Sequence, residues 1–255
     1  MKIYQNNEIK NIAILGSSGS GKTTLAEAML FESGVIKRRG RVEDGNTVSD
    51  YFPVEKEYGY SVFSSLISVE WMNRKLNFID CPGADDFVGN IVTSLNVTDT
   101  ALMVLNAQYG IEVGTINQLR YTEKLKKPIV FIVNQLDHPK ADFENVVHQL
   151  QSSYGNKTVL VQYPVNVGEG FNAVIDVLKN KMYKWKPEGG VPEVLDIPEA
   201  EKAKAGELHQ KLVEAAAENE ESLMEKFFSE GTLSEDDMRM GIRWGLVNRD
   251  MYPVR

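Results

Sequence analysis

Ile12-Ala-Ile-Leu-Gly-Ser-Ser-Gly-Ser-Gly-Lys-Thr-Thr24 is the stretch of this 255-residue chain that decides its fold. A short apolar run, Ile12–Leu15, opens directly into Gly16-Ser17-Ser18-Gly19-Ser20-Gly21-Lys22-Thr23, which fits the pattern GxxxxGK[ST]. The glycines let the backbone curl so that successive N–H groups point at phosphate oxygens. Lys22 adds positive charge at the β and γ groups, and Thr23 offers a hydroxyl to Mg²⁺. A helix is expected from Thr24 to about Glu32, with the positive end of its dipole aimed at the same phosphates. Strand, loop, Lys-Thr and helix in this order point to a bound nucleoside triphosphate rather than a plain Gly/Ser turn.

Further apolar runs at Leu76–Ile79, Ala101–Leu105 and Ile129–Val133 alternate with helical patterns. That alternation predicts an α/β fold, a mainly parallel sheet with helices on both faces. One pair departs from it. Ser61–Trp71 and Leu76–Ile79 are separated only by Met-Asn-Arg-Lys, too short for a parallel crossover, so they should form an antiparallel hairpin. The stretch from Ser33 to Tyr60 is a long loop whose composition promises no packed core, and loops of that length are commonly functional. Later, Lys184–Pro192 reads as an irregular connector. Leu208, Leu212, Ala215 and Ala216 form an apolar helical stripe, and Gly231 followed by Thr232-x-x-Glu235 reads as a helix stop and a capping box.

With 42% hydrophobic residues the chain can bury a core, and no apolar run near its start is long enough for a signal peptide or membrane span. A cytoplasmic protein without membrane association is expected. The single cysteine, Cys81, excludes an internal disulfide and a cysteine-based zinc site. The formal charge of −8 argues against a broadly basic nucleic-acid-binding surface. The excess is local: Glu193–Asp237 holds 14 acidic and 4 basic side chains, so this segment can steer a basic partner or simply present solvated helix faces.

Two more motifs follow core strands. Asp80-Cys-Pro-Gly83 matches DxxG, in which the Asp holds Mg²⁺ through water and the Gly83 N–H senses the γ-phosphate. Asn134-Gln135-Leu-Asp137 is close to NKxD. A carboxylate at Asp137 can accept both N–H groups on the guanine edge, a pair that adenine does not present. Three motifs in this order after three successive strands indicate a guanine-nucleotide domain, and an ATP-using kinase would leave Asp137 without a role.

Lys22-Thr-Thr-Leu-Ala-Glu-Ala-Met-Leu-Phe-Glu-Ser-Gly34, Glu55-Lys-Glu-Tyr-Gly-Tyr-Ser-Val62 and Asp80-Cys-Pro-Gly-Ala-Asp-Asp-Phe87 resemble the G domain of elongation factor G, the ribosomal translocase. The resemblance covers nearly the whole chain, since Phe171–Leu178 and Glu221–Phe227 resemble the α+β subdomain which that family inserts into its P-loop GTPase domain. It implies a GTP-binding core over 1–158, an inserted subdomain over 159–240 and a return to the core over 241–255. The family's last nucleotide motif would follow Arg255, so an N-terminal fragment of a longer protein is expected, monomeric by itself. The resemblance also implies GTP or GDP with Mg²⁺ as cofactors, and Thr23, Ser61 and Asp80 as metal residues, Ser61 standing where the family has threonine. The implied partner is the ribosome, reached through domains beyond this chain and through the acidic inserted subdomain.

Departures cluster at the chemistry. The family histidine after DxPG, which helps position the attacking water, is Ala84 here, and a methyl group cannot do that work. Its loss commonly costs on the order of 10²- to 10⁴-fold. Gly19 replaces a phosphate-loop aspartate, Tyr58 and Tyr60 replace an arginine and an isoleucine, and Gln135 replaces the NKxD lysine. No catalytic residue is therefore assigned. The leading expectation is a GTP-binding translation-factor domain with weak or absent hydrolysis. The alternatives are an ordinary ribosome-activated translocase and a non-catalytic GTP-sensing ribosome-protection or regulatory module.

Overall fold

A computed structural model describes residues 2–186 and 190–255. In chain order the elements are β1 (Ile9–Leu15), α1 (Lys22–Glu32), α2 (Pro53–Tyr58), β2 (Ser65–Trp71), β3 (Arg74–Asp80), α3 (Val88–Val97), β4 (Thr100–Asn106) and α4 (Val113–Lys124). They continue with β5 (Ile129–Asn134), α5 (Phe143–Tyr154), β6 (Thr158–Leu160), β7 (Gln162–Pro164), β8 (Ala173–Asp176), β9 (Lys181–Lys184) and β10 (Glu193–Leu195). The last are α6 (Glu199–Ala217), α7 (Glu221–Glu230), α8 (Glu235–Asn248) and β11 (Tyr252–Val254). Of the connector expected at Lys184–Pro192, residues 187–189 lie outside the described residues. The chain is an α/β protein with a mainly parallel sheet and a separate antiparallel one, and it divides into two compact units.

The first unit comprises the chain up to Asn106 together with Ile111–Ile129. Its strands lie in the order β2-β3-β1-β4; β1 is parallel to both β3 and β4, and only β2 runs antiparallel. The hairpin turns on Met72 and Asn73 with φ of 46° and 60°. Left-handed residues at both central positions match the twist of the flanking strands. Ile14, Ile67, Val69, Phe78 and Val104 on the strands meet Ala26 and Leu30 of α1 in one buried cluster. Each large apolar side chain so buried contributes about 1.5–3 kcal/mol. The phosphate loop is thus anchored by a strand and a helix that share a core.

The first hairpin strand is shorter than expected. It begins at Ser65 rather than Ser61, because the N–H groups of Val62 and Phe63 both donate to a carboxylate oxygen of Glu55, each at 3.0 Å, and do not enter the ladder. The loop before it also differs from the coreless stretch expected. It contains α2 and is held by two buried glutamates, Glu27 and Glu55, each 1% exposed.

The second unit comprises Ala107–Gly110 and Val130–Arg255. Here β11 runs parallel between β5 and β6, and a four-stranded antiparallel sheet has the order β10-β9-β8-β7. Phe131, Tyr154 and Tyr252 form a ring cluster with centroids 4.7–6.3 Å apart. The expected helical stripe is present on α6, with Leu212 and Ala216 buried and Leu208 and Ala215 half-buried. Its partner α8 crosses so closely that a Cβ on Gly241 would collide with the Ala216 carbonyl. The cap of α8 is Ser234, not Thr232: its hydroxyl accepts the Asp237 N–H at 3.1 Å, so the helix starts two residues later than the motif suggested. Residue 240 falls inside α8.

Candidate functional site

Positive φ at Gly16, Gly19 and Gly21 (141°, 77° and 87°) curls the loop between β1 and α1, a curl that β-carbons would oppose. The loop is braced from α4. Gln118 Nε2 donates to the Gly16 carbonyl at 3.1 Å while its Oε1 accepts the Gly16 N–H at 2.7 Å, and the Ser17 and Thr115 hydroxyls lie 2.8 Å apart. Ser18, Gly19 and Thr24 are exposed, whereas Ser17, Ser20, Lys22 and Thr23 are buried. Lys22, only 6% exposed, donates from Nζ to the Ser17 carbonyl at 2.9 Å, and burial pulls its pKa below the usual lysine range against the attraction of Asp80. Gly83 comes against this loop from the end of β3. A Cβ there would stand 2.5 Å from Lys22 Nζ and 2.7 Å from the Ser18 nitrogen. Space, not conformation, demands the last glycine of DxxG.

Thr23 joins the remaining parts. Its hydroxyl donates to Asp80 Oδ2 at 2.8 Å and lies 3.3 Å from Ser61 Oγ, which in turn donates to Asp50 Oδ1 at 2.7 Å. Asp80 is 1% and Asp50 4% exposed. Burial pushes the Asp80 carboxyl up to about 6 and raises that of Asp50, with hydrogen bonds from Thr23 and Ser61 working against it. Among the described residues Asp80 Oδ1 and Asp50 Oδ2 are buried without a hydrogen-bond partner, although the Ser49 hydroxyl beside Asp80 and the Thr47 hydroxyl beside Asp50 work in the lowering direction. Two hydroxyls and two carboxylates, each carboxylate with one orphaned oxygen, make a hard oxygen donor set of the kind that Mg²⁺ takes. With one buried lysine against two buried carboxylates, the residues present fit a divalent cation.

Thr23, Ser61 and Asp80 lie together in the structure, and Asp50, which the sequence analysis did not single out, joins them. Its loop carries no motif, and only the acidic residue eleven positions before Ser61 was there to be noticed. Gln118 was also missed, being 102 residues from the glycine it holds. Ala84 follows Gly83 in extended conformation and begins a short turn over Asp85–Phe87, both acidic residues of which are exposed. Tyr58 and Tyr60 flank Gly59 and are 61% and 42% exposed, their rings 6.0 Å apart.

In the second unit Asn134 ends β5 and its carbonyl accepts the Ala107 N–H at 2.9 Å. Gln135 has φ 61°, and its carbonyl accepts from the His138 N–H, closing the turn that presents Asp137. The Leu136 carbonyl accepts the Gly168 N–H at 2.7 Å, tying the turn to the loop beyond β7. Asp137 is exposed and makes no hydrogen bond or ion pair among the described residues.

A family model described as the elongation factor Tu GTP binding domain matches residues 7–232. Elongation factor G from Mycoplasma pneumoniae is 35% identical over 248 residues, which is 96% of this chain and 36% of that protein. A crystal structure of a protein from Thermus thermophilus is similar with a TM-score of 0.90 and 30% identity, over 97% of this chain and 37% of that one. The chain thus spans about a third of the length of these relatives.

Proposed function

The chain belongs to the elongation factor Tu GTP binding domain family, and from that premise we propose that it is the GTP- and Mg²⁺-binding domain of an elongation-factor-G-like protein acting at the ribosome, with weakened or absent hydrolysis. The observation that carries the reading is the convergence of Lys22, Thr23, Ser61, Asp50 and Asp80 on one buried, net-negative spot beside Gly83. Phosphates take backbone N–H groups of the loop up to Thr23, other than that of Gly16, which Gln118 holds, and the Lys22 ammonium; the γ-phosphate takes the Gly83 N–H. Thr23, Ser61 and Asp80, with Asp50, hold Mg²⁺, which neutralises phosphate charge when bound. Asn134, Gln135 and Asp137 read guanine. Gln135 keeps hydrogen-bonding capacity but not the lysine charge, lowering affinity by about 1–2 kcal/mol. Residues 159–240 form the inserted subdomain, with cytoplasmic residence following from work at the ribosome.

Ala84 favours a protein that holds GTP over one that turns it over quickly. Its methyl can neither orient nor deprotonate a water, and a carboxylate from Asp85 or Asp86 brought beside the γ-phosphate adds repulsion. The test of the nucleotide reading is base selectivity. The wild type should prefer GTP to ATP, and Asp137→Asn should lose guanine preference and gain xanthine nucleotide, since an amide pairs with xanthine's carbonyl. Sites built on such hydrogen bonds discriminate by roughly 10⁴-fold in favourable cases. Equal affinity of the wild type for ATP and GTP would sink the assignment.

A further inference from the structure

Glu27 is buried to 1% exposure, yet it belongs to none of the nucleotide motifs. It stands on α1 one turn after Thr23, so both side chains leave the same face of the helix. Its carboxylate spans the two ends of a closed loop: Oε2 accepts the Gly40 N–H at 2.7 Å and Oε1 accepts the Val48 N–H at 2.5 Å. Between those ends the loop is folded on itself, the Arg41 N–H donating to Asn46 Oδ1 at 2.7 Å and the Gly45 N–H to the Val42 carbonyl at 3.0 Å. Gly40 is pressed against the Asn46 carbonyl and the Thr47 backbone, where a Cβ would stand only 2.6–2.8 Å away, so the carboxylate meets a built surface and not a chance approach.

Beyond Val48 the chain enters the metal site. The Ser49 carbonyl accepts the Ser65 hydroxyl at 2.7 Å, and Asp50 accepts the Ser61 hydroxyl. On the far side Glu55, also 1% exposed, accepts the N–H groups of Phe52, Val62 and Phe63 at 3.2, 3.0 and 3.0 Å, bracketing Ser61. The segment that delivers Asp50 and Ser61 to Thr23 is therefore fastened by one buried carboxylate upstream and another downstream. Charge-assisted hydrogen bonds to backbone N–H groups are about twice as strong as neutral ones. A buried carboxylate deprived of them is costly, so each latch is effectively closed or broken.

We propose that Glu27 is a positioning residue: it fastens the 40–48 loop to the helix that follows the phosphate loop and so holds Asp50 and Ser61 where the triphosphate-bound Mg²⁺ needs them. This rests on the nucleotide reading above. GDP shares the phosphate loop but makes no demand on the γ-phosphate side, so the two nucleotides separate the roles.

The test is Glu27→Gln, which keeps the volume but turns an NH₂ toward one of the two N–H donors. Affinities for GDP and for a non-hydrolysable GTP analogue are measured with Mg²⁺ on the full chain. The GTP analogue should weaken about tenfold or more, as expected for loss of a hydrogen bond to a charged group, while GDP stays within about twofold. Equal losses for both nucleotides, or none, overturn the proposal. Amide exchange reads the latch without any nucleotide. In the nucleotide-free wild type the Gly40 and Val48 amides should exchange at least about tenfold more slowly than those of exposed Glu43 and Asp44, and in Glu27→Gln that protection should be lost. Fast exchange in the wild type overturns the proposal even where the variant does not fold. A wild type that shows the protection but no guanine preference overturns the nucleotide reading and leaves the latch standing.

Discussion

Asp80 ends β3 with its carboxylate removed from water and its Oδ1 unpartnered. A carboxyl whose pKa rises from 3.8 to about 6 on folding binds its proton more tightly in the native state than in the unfolded chain. Its contribution to stability is therefore fully present below about pH 4 and is lost as pH rises through about 6. The swing is roughly 3 kcal/mol. Asp50, raised by burial as well, slopes the same way. In urea titrations without nucleotide or Mg²⁺, the wild type should lose stability relative to Asp80→Asn as pH climbs from about 4 to about 6.5. A difference between the two proteins that is flat over that range would mean that Asp80 is not desolvated as described. The same burial makes this residue useful: an oxygen kept from water and lacking a protein partner is ready for a cation.

At the scale of elements, α4 acts as a brace rather than a cover. Gln118, buried to 1%, uses both ends of its amide on Gly16. Gln118→Leu leaves a buried N–H and a buried C=O unpaired, at about 1–3 kcal/mol each. It should lower stability by about 2–6 kcal/mol and weaken GTP and GDP together, because both lean on the same loop. Wild-type stability in that variant would show that the brace carries no weight. The contrast with Glu27, where only the triphosphate suffers, distinguishes the two fastenings. It also marks how far a sequence discloses a site. The strands at Ile12, Leu76, Ala101 and Ile129, the hairpin and the three motifs are local patterns, legible because spacing and apolar runs specify them within a few residues. Gln118, Glu27, Asp50 and Glu55 act across separations that no local period records. The displaced element starts have a similar cause: Ser65 rather than Ser61 opens β2 because Glu55 captures two N–H groups, and Ser234 rather than Thr232 caps α8 because the Asp237 N–H lies within its reach.

At the scale of the whole molecule, the proposed function separates binding from chemistry. Under the proposed function the phosphate loop is kept while the position that would orient water is Ala84, whose methyl cannot do so. Its neighbours Asp85 and Asp86 carry charge of the wrong sign for the γ-phosphate. The decisive measurement is single-turnover GTP hydrolysis with and without ribosomes, and the same for Ala84→His. GTP should bind and persist, and Ala84→His should raise the ribosome-stimulated rate by on the order of 10²-fold or more, the usual contribution of a positioned acid–base group. A wild-type rate that ribosomes already bring to that of an efficient translocase would overturn the hydrolysis-deficient reading and leave nucleotide binding intact. If both proteins stay inert, the fault moves to the switch around the histidine. Tyr58 and Tyr60, both exposed on either side of Gly59, then become the residues to revert, because a general base works only when the surrounding loop closes over the water it holds.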